Sequence, residues 1–157
     1  MLEQTTQFLK KAGLQAAIYK YDGAHEWPSG EMMGSAIAGL TLQAMAKGFR
    51  PEAPMLAQKL YLSDMETAES LRRKLQPYKS FEFLESLLPR YEIYGKKNEI
   101  NQRLKEIRGS RAYKDQRRAY NRAAIQETEL MDRYIYFFTD DFNAANFENL
   151  GWWNAQI

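Results

Sequence analysis

A chain of 157 residues, with 22 Lys and Arg against 20 Asp and Glu and no cysteine, is sized for one domain that buries a core without disulfide or cysteine-bound zinc. Hydrophobic residues at 45% and charged residues at 27% exclude general disorder and low complexity. The missing thiols rule out cysteine nucleophiles and disulfide switching, and fit a reducing, cytoplasmic setting.

Met1 to Lys20 contains no uninterrupted apolar core of the signal-peptide kind. Leu2 to Tyr19 instead reads as an amphipathic helix. Tyr21 to Gly30 concentrates Gly, Pro, Asp and Ser and reads as a loop, with Ser29 or Gly30 placed to cap the next helix. From Glu31 to Phe49 apolar and small residues occupy nearly every side, so a buried central helix is expected, ended by Gly48. Its longest apolar stretch, Met32 to Met45, is too short to span a bilayer, and no membrane contact is expected.

A short helix over Pro51 to Tyr61 comes next. The S-x-x-E spacing of Ser63 and Glu66 then predicts a capping box opening a separate helix that runs to Gln76, where Pro77 stops it. Ser80 to Leu88 mixes strand-like alternation at Phe81 and Phe83 with helical spacing at Leu84, Leu87 and Leu88; a short helix ended by Pro89 is the better account. Arg90 to Tyr94 reads as a brief extended segment closed by Gly95. Ile100, Leu104 and Ile107 mark a polar helix with a narrow apolar seam from Lys97 to Arg108, broken at Gly109-Ser110.

The longest predicted helix spans Arg111 to Phe138. Tyr113, Tyr120, Ala124, Met131, Tyr134 and Phe138 recur along it at steps of three and four, with Arg117 and Glu127 in the two remaining positions. That spacing suits an intermolecular coiled coil, but tyrosines, an arginine and a glutamate stand where Leu or Ile would favour one, so packing inside the domain is the plainer expectation. A tail from Thr139 to Ile157 carries Asp140, Asp141, Phe142, Phe147, Trp152 and Trp153. The fold class read from all this is all-α: a single compact domain of about six or seven helices with one long C-terminal helix.

Catalytic chemistry finds little to work with. His25 is the one histidine, and no nucleophile elbow or phosphate-binding glycine loop is present. His25, Glu26 and Glu31 match no metal-ligand spacing. A paired-carboxylate hydrolase would need Asp140 and Asp141 to converge, and side chains one position apart do not face each other on a helix. No catalytic residue, metal or cofactor is assigned.

Charge segregation is more informative. Arg103, Lys105, Arg108, Arg111, Lys114, Arg117, Arg118 and Arg122 stand against Glu106 and Asp115, a local charge of +6, whereas residues 126 to 149 carry six carboxylates against Arg133, a local charge of −5. The basic segment could grip nucleic-acid phosphates, with Tyr113 and Tyr120 stacking on bases, meet an acidic protein, or be simply a solvated helix face. The acidic, aromatic tail could dock in the apolar groove of a protein partner, or equally Trp152 and Trp153 could fold back and close the domain's own core. Self-association, the acidic part of one copy on the basic part of another, is a third arrangement, and head-to-tail contacts of that kind build rings or filaments.

Ile107, Ala112, Tyr113, Asp115, Leu130 and Tyr134 give the stretch Ile107 to Tyr134 a pattern that resembles helical segments in assembly and accessory proteins of tailed phages, without the Pro and His usual in its middle. The resemblance implies a phage or mobile-element origin, with residence in the host cytoplasm or the virion, and transfers no site. The function expected is a non-enzymatic adaptor, inhibitor or assembly component that binds another protein. Nucleic-acid binding is the alternative and a small hydrolase the distant third.

Overall fold

The computed structural model describes residues 8–9, 11–12 and 27–144, and every regular element among them is helical. Among the described residues five α-helices are delimited, in order α1 (Gly30–Ala46), α2 (Pro54–Arg73), α3 (Pro77–Tyr91), α4 (Lys97–Gly109) and α5 (Arg111–Asn143), with a 3-10 turn, Glu92–Tyr94, between α3 and α4. This is fewer than the six or seven expected. The predicted helix over Leu2 to Tyr19 lies largely outside the described residues, as do His25 and Glu26.

The count also falls because two predicted helices are one. Nothing between Pro54 and Arg73 breaks a helix, so α2 runs straight through Ser63, and Pro54 instead of Pro51 occupies its first turn. The capping box at Ser63 is therefore not formed; the Ser63 carbonyl accepts a bond from Thr67 Oγ1 within the helix. Pro77 opens α3 instead of closing α2. Pro89 sits inside the last turn of α3, where its missing N–H costs one bond and the helix ends two residues later. Arg90 to Tyr94, expected to be extended, is the end of α3 and the 3-10 turn.

Other local signals operate as their chemistry requires. Ser29 Oγ accepts from the Met32 N–H at 3.3 Å and caps α1. Gly48 adopts φ +74 after α1; its N–H reaches the Met45 carbonyl and that of Phe49 reaches Ala44, which is the Schellman closure. Ser110 breaks the chain between α4 and α5 and accepts the Tyr113 N–H at 3.2 Å, capping the second of them.

The chain divides into two compact units, Met1–Tyr113 and Lys114–Ile157. The first is organised around α3, which packs against α2 and α4 and more lightly against α1. Phe81, Leu84, Leu87 and Tyr91 on α3 meet Ala57, Tyr61 and Ala68 of α2 and Ile100, Leu104 and Ile107 of α4, all buried. Each fully buried leucine there stabilises by about 1.5–3 kcal/mol. The expectation that the Glu31 to Phe49 helix lies buried at the centre is corrected: α1 turns only Gly39, Leu42 and Met45 fully inward, while Met33, Ile37 and Leu40 are exposed. Its polar contacts are equally one-sided, with Ser35 bonded to Arg90 and the Leu42 carbonyl to Tyr94.

The second unit begins within α5. Of the residues of this 33-residue helix only Tyr113, in the first unit, is buried.

Candidate interaction surface

The positions of the long helix explain its character. At 100° per residue, Ala119, Tyr120, Ala123, Ala124, Leu130 and Met131 gather on one side, and Tyr134, Ile135, Phe137, Phe138 and Phe142 continue the same stripe to the end of the helix. Lys114, Arg118, Arg122, Glu129, Asp132 and Asp140 stand on the other. Helices shaped in this way normally hide the apolar side. Here Leu130 is 63% and Phe142 59% exposed, with Met131, Ile135, Phe137 and Phe138 exposed as well. Of the seam positions among the described residues, Tyr113 is buried and Tyr134 half-buried, and the rest are exposed.

Aromatic rings along this helix organise one another. Phe138 and Phe142, one turn apart, stack at 6.3 Å with planes 19° from parallel, and Tyr136 meets Phe137 edge-on at 5.4 Å. Asp140, Asp141 and Phe142, read from the sequence as tail, are part of α5, so their side chains are held at fixed helical angles. Asp140 and Asp141 are consecutive residues of one helix and diverge. Phe147, Trp152 and Trp153 lie outside the described residues.

The predicted basic residues are distributed over both units. In the first, Arg103 pairs with Glu106 at 3.1 Å and Arg108 reaches Glu85 at 3.9 Å, both in largely exposed geometry that contributes little. The Arg108 guanidinium also lies 5.1 Å from the Phe81 ring. Lys105 is exposed and unpaired among the described residues; Arg111 is exposed. In the second, Arg118 stands 4.0 Å from Asp115, whereas Lys114, Arg117 and Arg122 are exposed with no ion pair among the described residues.

Tyr113 cannot stack on a base, contrary to expectation. It is buried against Phe81 at 4.8 Å and Tyr78 at 6.0 Å, because the Ser110 cap aims the first turn of α5 into the core of the first unit. Tyr120 is exposed on the stripe.

The first unit has a cleft of about 420 Å³ bordered by Tyr61, Met65, Glu69, Arg72, Glu99 and Arg103. Its charged groups neutralise one another locally, Glu69 with Arg72 at 3.1 Å and Glu106 with Arg103. Tyr61 is buried with its hydroxyl unbonded among the described residues. Burial first and the Glu99 carboxylate second push its ionisation far above the ordinary tyrosine range. Among the described residues no group of His, Asp and Glu could hold a metal ion, and no helix is long and apolar enough to cross a membrane.

The chain matches no protein-family model, no curated protein and no solved structure.

Leu130, Ile135 and Phe137 were missed as candidate contact residues. The signal that finds them is the width of the apolar stripe, which exceeds the strict three-and-four seam by one position on either side.

Proposed function

We propose that this chain is a non-enzymatic protein-binding component, an adaptor, inhibitor or assembly factor of phage or mobile-element origin, and that it binds through the apolar stripe of α5. The observation that carries the reading is the exposure of Leu130, Met131, Ile135, Phe137, Phe138 and Phe142 along one side of a single helix. Soluble proteins rarely leave a contiguous patch of such residues uncovered unless something binds there. An amphipathic helix presented in this way fits recognition by another helix or by an apolar groove, with charges at the margin setting specificity.

The test compares the tagged full chain with Leu130→Glu/Phe138→Glu in affinity capture. Both side chains are exposed, so near-ultraviolet circular dichroism of the first unit should be unchanged. The reading expects a specific protein retained by the parent chain and lost from the variant. An unchanged set of retained proteins, an untagged copy of the same chain being present in the mixture, overturns it. So does retention of mixed-sequence DNA or RNA that weakens steeply with salt, with a slope lowered by Arg117→Ala and Arg118→Ala, because that behaviour belongs to phosphate binding.

A further inference from the structure

We propose that the occupant of the stripe is a second copy of the same chain, with the two α5 helices paired antiparallel about a two-fold axis. This rests on the reading that the stripe is a binding surface and names what binds it.

Charge decides the direction. From Arg111 to Arg122, α5 carries five basic residues against Asp115, and from Glu127 to Asn143 it carries five carboxylates against Arg133. A parallel pair sets basic half on basic half and acidic half on acidic half. The antiparallel pair sets each half against its opposite, and opposes the two helix dipoles as well.

The seam supplies a register. Sliding the copies until Arg117 of one faces Asp141 of the other places Tyr120 opposite Phe138, the small Ala124 opposite the large Tyr134, and Glu127 opposite Met131. Nearly all of α5 from Asp115 to Asn143 then overlaps, about four heptads. The seam charge at Arg117, which argues against a coiled coil when considered alone, gains an acidic partner, and polar seam residues of this kind fix register at some cost in affinity. One large ring, Tyr134, faces the small Ala124, and the Tyr120 and Phe138 rings face each other. Because the same surface is used by both copies, the contact closes at two and does not propagate into the rings or filaments that head-to-tail contacts would build.

The absence of cysteine makes the arrangement directly testable. In the antiparallel register residue 120 of one copy lies about 27 Å along the axis from residue 120 of the other, far outside the reach of a disulfide, whereas 120 and 138 are opposite each other. Light scattering on the full chain should give a dimer, and Leu130→Glu/Met131→Glu a monomer. Under mild oxidation, Tyr120→Cys mixed with Phe138→Cys should cross-link, and neither variant alone should. Arg117→Asp should weaken the dimer roughly tenfold, with Asp141→Arg added in the same chain restoring it.

Self-linking by each single-cysteine variant indicates a parallel pair and overturns the proposal. A dimer that survives Leu130→Glu/Met131→Glu uses another surface and overturns it too. A chain that stays monomeric at all concentrations overturns it as well, and the capture comparison then separates the cases: a protein lost with Leu130→Glu/Phe138→Glu leaves the stripe a site for a different partner, and an unchanged set removes both readings.

Discussion

Arg90 on α3 donates to Asp64 on α2 at 2.7 Å, with Arg90 only 4% exposed, and the same carboxylate oxygen accepts the Tyr91 hydroxyl at 2.6 Å. Arg90 also donates to the Ser35 carbonyl at 3.1 Å, so one guanidinium ties α1, α2 and α3 together. A buried cation of this kind is tolerable only while its acceptors are in place.

Asp64→Ala is therefore expected to cost about 3–5 kcal/mol, because it removes the carboxylate that pairs with that buried charge. Adding Arg90→Met should recover part of the loss, since the second change removes the charge and keeps apolar volume. Urea unfolding followed by the tyrosine signal of the first unit checks both. A double variant less stable than Asp64→Ala alone would show that the Arg90 contacts to Ser35 outweigh the ion pair.

Tyr91 and Tyr61 give the first unit an alkaline limit. Burial is the larger cause in each, helped by the Asp64 hydrogen bond at Tyr91 and the Glu99 charge at Tyr61, and both phenols are held neutral far beyond the ordinary tyrosine value of 10.0. Their folded pKa values lie above the unfolded ones, so the stability they contribute is fully present below pH 10 and is lost as pH rises beyond it, when the unfolded tyrosines ionise and the folded ones do not. Stability measured across that range should fall, and Tyr91→Phe should make the fall shallower. An unchanged slope in the variant would assign the alkaline loss to other groups.

Leu75 occupies φ +59 at the end of α2, where its N–H bonds the Arg72 carbonyl and that of Gln76 bonds Leu71. This is the same closure that Gly48 makes after α1, performed by a residue whose Cβ is strained there. Leu75 is 80% exposed, so its side chain buries little in compensation. Leu75→Gly should raise stability by about 1 kcal/mol, and Gly48→Ala should lower it by a similar amount. Thermal unfolding of the two variants gives the comparison, and destabilisation by Leu75→Gly would show that the exposed leucine contributes more than the backbone strain costs.

The same two closures show why some of the fold was legible in the sequence and some was not. Gly48, Gly95, Ser29 and Ser110 are local devices whose chemistry acts within four residues, and each is where the pattern places it. Ile100, Leu104 and Ile107 were equally readable, since a narrow apolar seam on a polar helix has one side to bury. Leu75 was invisible as a terminator because glycine is the usual residue for that backbone. Ser63 misled because S-x-x-E also occurs inside helices, and only the unbroken run of helix formers around it decides between the two. For α1 and α5 the sequence reports which sides are apolar and is silent on whether another helix exists to cover them. That is a tertiary fact, and it separates the buried Leu42 from the exposed Leu40, and Tyr113 from Tyr120.

Leu87 and Leu130 convert that difference into an experiment. Leu87 on α3 is fully buried, so Leu87→Ala should cost about 2–5 kcal/mol through lost transfer energy and the cavity left behind, at any protein concentration. Leu130 on α5 is exposed, and in a dilute monomer Leu130→Ala should change stability by no more than about 0.5 kcal/mol. At concentrations where α5 pairs with a second copy, the same substitution should become costly, because stability is then linked to association. Unfolding curves recorded over a hundredfold range of concentration should therefore shift for the parent chain and for Leu87→Ala alike, and shift less for Leu130→Ala. A parent chain whose unfolding midpoint is independent of concentration would place the second unit outside any self-association and leave its stripe to a different protein.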